Sequence, residues 1–263
     1  MTLGASSFLG GGRAQRTSGR AVRMIEAFLW GALGASALLI GVLIAYRTGP
    51  GRRLTTAVMA LGSGLLLGSV SFELVAEALR TRTVAAVGLF VLVGALVFAA
   101  GDWLLSRRGG GDRKDADGAQ ARGSPLAIVL GSVLDGIPES FVLGLTVLQG
   151  QVSVALLAAV LLSNLPEGMA SSSGLRAAGW PQRRVLVMWS LVVAVSAVAS
   201  AAGYLLLDPA SGTTGALVQA FAAGALLAMV SDTLLPEAYE VEGVLTGLFV
   251  VGGFAVSIAL SAL

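Results

Sequence analysis

The chain has 263 residues, of which 56 % are hydrophobic and only 12 % charged, with a mean hydropathy of +0.86. A soluble domain carries about 25 % charged residues, and apolar blocks this long cannot all be buried in one domain, so lipid must be the solvent. The chain has no histidine and no cysteine, which excludes disulfides, Cys/His zinc sites, thiolate or imidazole catalysis and c-type haem attachment. Any metal would have to be held by oxygen. The net charge of +2 comes from basic residues in the loops between apolar blocks; they are topology signals, and no nucleic-acid partner is expected.

Residues 1–23, rich in Gly, Ser and Arg, are expected to carry neither a span nor a fold, and Met24 is an alternative start to Met1. The next apolar run is too long for a signal-peptide core. Eight segments then reach bilayer-crossing length: Met24–Tyr46, Leu54–Leu79, Thr83–Leu105, Pro125–Leu148, Ser153–Ala177, Val185–Leu207, Thr213–Ala238 and Val244–Leu263. Ser124 and Pro125 open the fourth as N-cap and first helical residue. The loop at 106–124, SRRGGGDRKDADGAQARGS, is charged and glycine-rich and is expected to be disordered. The expected fold class is thus an all-α membrane protein whose transmembrane domain covers residues 24–263.

Basic residues orient it. The odd-numbered loops hold Arg47, Arg52, Arg53, Arg107, Arg108, Arg113, Lys114, Arg122, Arg176, Arg183 and Arg184, whereas the other face holds Arg80, Arg82 and the tail arginines. The positive-inside rule puts the third loop in the cytoplasm and both termini outside, in a plasma membrane of the bacterial inner-membrane type.

Spans two and seven repeat one another. Gly64–Ala78 reads GLLLGSVSFELVAEA and Gly224–Ala238 reads GALLAMVSDTLLPEA, with the polar residues Ser71/Ser231 and Glu77/Glu237 among the identities. Spans five apart cross in opposite senses, so this is an inverted repeat, a transporter architecture. Spans four and five echo each other in Asp135-Gly-Ile-Pro-Glu-Ser140 and Ser163-Asn-Leu-Pro-Glu-Gly168. The eight transmembrane helices therefore divide 3+2+3. Alternating access is expected from the inverted three-span units rocking against the central pair.

Seven acids within the spans stand out: Glu73, Glu77, Asp135, Glu139, Glu167, Asp232 and Glu237. Asp135, Glu139 and Glu167 lie near mid-span, where together they oppose insertion by about 8–10 kcal/mol. Asp135 and Glu139 are i,i+4 on one helix face; Ser163, Asn164 and Glu167 share a face of span five. Like charges accept such a position if one is protonated or if a cation lies between them, so two helices can offer three carboxylates, an amide and a hydroxyl as oxygen ligands. Pro138, Pro166 and Pro236 each precede a glutamate and free the carbonyls of Leu134, Leu162 and Asp232, themselves potential cation ligands. The structural alternative is that the acids are protonated glue between helices, which weighs most for Glu73, Glu77, Asp232 and Glu237. Ser171–Ser173, Gly131, Gly144 and Gly168 are expected to be close-packing residues, and Trp103 and Trp180 interface anchors.

With eight spans grouped 3+2+3, a long third loop and paired Pro-Glu motifs on spans four and five, the chain from Met24 to Leu263 resembles the ZIP (ZRT/IRT-like) family of divalent metal transporters. The resemblance implies that Glu139 and Glu167 are core metal ligands, that Asn164 is a neighbouring one, and that Asp135 stands where the family usually has histidine. Gly136 replaces a usual amide; an alternative register puts Asp135 in the acid's place and Gly131 in the histidine's. Span six has no acid, which weakens a second metal site. Ser231–Glu237 is similar to the family's seventh-span segment, and Ser163, Glu73, Glu77, Asp232 and Glu237 are candidates for the transport pathway. The resemblance implies zinc, manganese or iron as substrate, no resident cofactor, the lipid bilayer as surroundings and a homodimer. Oxygen ligands favour harder ions than zinc. Two other readings compete: a non-transporting scaffold or sensor of the same fold, and an intramembrane hydrolase using Asp135 and Asp232.

Overall fold

The computed structural model describes residues 8–107, 125–150, 152–205 and 212–262. Among the described residues the chain forms eight helical rods and no strand. They are α1 (Phe8–Arg47), α2 (Arg52–Thr81), α3 (Val84–Leu105), α4 (Pro125–Gln149), α5 (Val154–Ala177), α6 (Gln182–Leu205), α7 (the unbroken succession Gly212–Met229, Val230–Leu234, Leu235–Glu242) and α8 (Leu245–Leu260). Seven are long and apolar enough to cross a membrane. The eighth, α8, has 16 residues, about 24 Å of helix. The chain is thus an all-α membrane protein. Helix α1 begins at Phe8, so helical backbone extends into the segment expected to have no fold. Residues 1–7, Ser124 and the loop at 108–124 lie outside the described residues.

Local chemistry sets several ends. Thr83 and Ser153 accept hydrogen bonds from the amides of Ala86 and Leu156 at 3.3 and 3.0 Å, opening α3 and α5. Gly179 (φ +81°) and Gly243 (φ +58°) take the chain out of α5 and α7 in conformations that favour glycine. Helix α5 is the most buried rod and α3 the least, as expected of a central helix and a lipid-facing one.

The repeat is structural as well as sequential. Within α2, Val70–Val75 forms a π-helical turn, and within α7, Val230–Leu234 does the same. In each, an amide bonds five residues back: Ala76 to the Ser71 carbonyl and Leu235 to the Val230 carbonyl. The burial pattern from Thr56 to Arg80 matches that from Ala216 to Glu240 at every position except Gly68/Ala228. Packing follows the same twofold. A Cβ on Gly64 would fall 1.9 Å from the Val250 carbonyl oxygen, and one on Gly253 would fall 2.0 Å from that of Leu61, locking α2 to α8. Gly224 against Val91 and Gly94 against Phe221 lock α7 to α3 in the same manner, at 1.9 Å each.

These contacts describe how the units pack. The inverted three-helix units do not stand apart as bodies: α2 packs on α8, α3 on α7 and α1 on α6. Close packing instead gathers α1, α4, α5 and α6 into one group and α2, α3, α7 and α8 into another, joined chiefly where α2 meets α5 and α4 meets α7. Glycine contacts this tight tie helices into one body, because their backbones have no side chain between them to deform.

One end of the bundle is stitched by polar contacts. The Tyr46 hydroxyl donates to the Trp180 carbonyl (2.6 Å), Arg176 Nη1 to the Ala45 carbonyl (2.7 Å), and Thr56 Oγ1 to Glu242 Oε1 (2.9 Å), while Arg52 pairs with Glu240 at 3.4 Å. The first, fifth and seventh connections therefore share a face. Arg184 lies over the Trp180 ring and Arg107 over Trp103, each 3.9 Å from the ring centroid, an arrangement that suits interface anchors.

Candidate metal centre

Helices α4 and α5 meet over only a short stretch, and the mid-span polar residues are there. Asp135, Glu139, Ser163, Asn164 and Glu167 are all at most 5 % exposed. Ser163 Oγ donates to Glu139 Oε1 at 2.9 Å, with the Val160 carbonyl at 3.0 Å as the alternative acceptor for the same proton. Asn164 Nδ2 donates to Glu139 Oε2 at 3.3 Å and to the Gly34 carbonyl of α1 at 3.3 Å. Both oxygens of the Glu139 carboxylate thus receive donors from α5. Asp135, Glu139 and Glu167 each have further polar interactions.

These bonds bring the Glu139 carboxylate, the Ser163 hydroxyl and the Asn164 amide together. They do not close three carboxylates into a ligand shell: among the described residues no three acids gather at metal-holding spacing. Mutual repulsion in a low-dielectric interior opposes such a cluster, and the donors of α5 satisfy Glu139 instead.

Packing explains why Glu139 faces α5. Gly144 of α4 abuts the Ser200 carbonyl and Gly203 of α6 abuts that of Phe141, while Gly168 of α5 abuts the Leu38 carbonyl and Gly41 of α1 that of Leu165. The twofold thus maps Gly144 onto Gly168 and Phe141 onto Leu165, both 24 residues on. The Pro-Glu motifs repeat 28 residues apart, one helical turn out of step. In the packing register Glu139 corresponds to Ser163, the residue that it contacts. Gly144 and Gly168 are the close-packing residues expected.

The proline-freed carbonyl of Leu162 is not open to a pathway. A Cβ on Gly62 of α2 would lie 2.7 Å from it, so α2 covers it, and Gly62 is the contact between the two helix groups at this depth. Gly136, where the resemblance expects an amide, faces Ser196 of α6: among the described residues a Cβ there would meet only the Ser196 hydroxyl, at 3.1 Å. Ser196 is buried. Its hydroxyl carries no insertion cost that would single it out in a Ser-, Ala- and Val-rich helix. The Gly34 carbonyl is equally invisible as a donor partner, although the small-residue run of α1 (GALGASALLIG) marks close approach.

The other four acids lie toward the ends of α2 and α7. Glu77 pairs with Arg80 at 3.2 Å, both substantially exposed. Glu73 is half-buried in the first π turn; its Oε1 accepts from Ser261 at 3.4 Å and its Oε2 is buried without a partner. Asp232 is exposed in the second π turn, and Glu237 is half-buried with polar neighbours. Asp102 of α3 is a further half-buried acid within a span.

Compared with known proteins, residues 105–261 match the profile of a family described as ZIP Zinc transporter. No curated protein matches the chain. The match covers more than half of the chain, and the inverted repeat relates the unmatched α2 and α3 to helices within it. An eight-helix bundle with a buried carboxylate between α4 and α5 and a family match over its larger part belongs to the ZIP zinc transporter family, whose members move divalent metal cations across membranes.

Proposed function

We propose that the protein carries a divalent cation across the bilayer by way of Glu139, with Asp135, Asn164 and Glu167 as further ligands and Ser163 beside them. The observation that carries this reading is the Glu139 carboxylate, 3 % exposed at mid-span with a donor on each oxygen. A buried charge at this depth is costly and marks an ion pathway. Both donors reverse roles readily: the Ser163 hydroxyl has lone pairs, and turning the Asn164 amide presents its oxygen. A cation entering between α4 and α5 would thus exchange two hydrogen bonds for an all-oxygen shell, completed as Asp135 and Glu167 swing in. Oxygen donors suit manganese or iron(II) better than zinc.

Transport is toward the face carrying the arginine-rich loops, which is the cytoplasm in this reading, with both termini outside. Displacement of the α1/α4/α5/α6 group against the α2/α3/α7/α8 group exposes the centre to each side, with Gly62 sliding past the Leu162 carbonyl. The protein works in a plasma membrane of the bacterial type as a homodimer, without a resident cofactor.

Reconstitution in liposomes tests this. Manganese, iron(II) or zinc should accumulate inside, and Glu139→Gln should abolish uptake while the protein still inserts. Uptake by the wild type no greater than that of protein-free liposomes would favour the scaffold or sensor reading, and equal uptake above that level would remove Glu139 from the pathway.

A further inference from the structure

We propose that Ser132 is the next ligand of the moving cation after the Glu139 group, one step nearer the end of the bundle that bears the arginine-rich loops; this rests on the transport reading above. Ser132 lies on α4 at i−3 from Asp135 and i−7 from Glu139, so the three share a helix face. Its side chain is 3 % exposed, and its hydroxyl has no hydrogen-bond partner.

Among the described residues the buried Thr246 hydroxyl is the one other in this state. Ser63, Ser71, Thr146, Ser163 and Thr233 all have their hydroxyls within bonding distance of a carbonyl three or four residues back, at 2.6–3.0 Å, the ordinary solution for a hydroxyl in an apolar helix. Ser132 could do the same and does not. A hydroxyl buried without a partner is destabilising and calls for an explanation.

A second observation points the same way. Among the described residues, Gly136, one turn from Ser132 on the same face, has the Ser196 hydroxyl 3.1 Å from where its Cβ would be and no other contact within 4 Å. The face between Glu139 and Ser132 therefore carries no side chain at Gly136 and has the Ser196 hydroxyl close against it. Glu139, Asp135 and Ser132 form a run of oxygens along α4, and the Ser196 hydroxyl of α6 joins it beside Gly136, between the two carboxylates. Ligand charge falls at the step from Asp135 to the neutral Ser132, so the cation is bound less tightly there, as release requires.

The test uses full-length protein in liposomes, with manganese as the probe. Three quantities are read for wild type, Ser132→Ala and Ser132→Thr: melting temperature, equilibrium manganese binding and initial uptake rate. Removing an unsatisfied hydroxyl should leave the melting temperature unchanged or raise it by a few degrees. Binding should stay within about twofold, whereas uptake should fall about fivefold, the factor one net hydrogen bond is worth. Ser132→Thr, which keeps the hydroxyl, should restore the rate. Uptake by Ser132→Ala at the wild-type rate, joint loss of binding and uptake, or a destabilised Ser132→Ala protein would each overturn the proposal. A wild type that takes up no cation would instead overturn the transport reading, and this proposal with it.

Discussion

Ser163 and Glu139 occupy equivalent positions under the twofold that relates α5 to α4, and they touch each other at 2.9 Å. Equivalent residues that meet lie at the axis itself, so the buried carboxylate is placed where the two halves of the inverted architecture join. The axis passes between one acid and one hydroxyl, which makes the centre chemically asymmetric on a nearly symmetric scaffold.

Removing the hydroxyl leaves Glu139 short of a donor. Ser163→Ala should therefore destabilise the protein by about 1–3 kcal/mol, read by thermal denaturation in detergent. Glu139→Gln, which keeps the shape and can still bond Ser163, should cost less stability than Ser163→Ala while abolishing uptake. The opposite order would mean that Glu139 is structural glue.

The glycine contacts predict paired effects. Gly64→Ala and Gly224→Ala each drive a methyl into a backbone carbonyl and should cost about 1–3 kcal/mol or more, by similar amounts because the twofold relates them. Gly88→Ala, with nothing within 4 Å of its Cβ, should be neutral or mildly stabilising. Thermal denaturation of the three variants checks both expectations.

Glu77 should behave unlike Glu139. Its pair with Arg80 is solvent-accessible, 43 % exposed at Glu77 and 76 % at Arg80, and such a pair contributes little, about 0.5 kcal/mol or less. Glu77→Gln should leave stability nearly unchanged and uptake within about twofold of wild type, since one net hydrogen bond or less is at stake.

Asp135→His should shift the ion preference. Imidazole suits zinc where carboxylate suits harder ions, so competition between zinc and manganese for uptake should move toward zinc. No change in the ratio would place Asp135 off the cation's path.

The absence of native cysteine makes topology directly measurable. Ala119→Cys, in the third loop, should react with a membrane-impermeant maleimide only in inside-out vesicles. Reaction in right-side-out vesicles would reverse the orientation, and with it the direction of transport.

Much of this protein was legible in its residues. Eight apolar runs, their arginine-bearing connections and the echo of Ser71/Glu77 in Ser231/Glu237 follow from how long a helix must be in lipid and from how rarely charge is tolerated there. The same cost singled out Asp135, Glu139 and Glu167, because a carboxylate in a span stands out against its neighbours. The tertiary structure alone decided which helices pack together, that Gly62 covers the carbonyl freed by Pro166, and that Ser163 and Asn164 both bond Glu139. Those outcomes depend on glycines meeting backbone carbonyls between helices far apart in the chain, and on hydroxyls such as Ser132 and Ser196 whose importance lies in what surrounds them. Periodicity and charge record what a residue costs in lipid; which partner relieves that cost is set by the packing of the other helices.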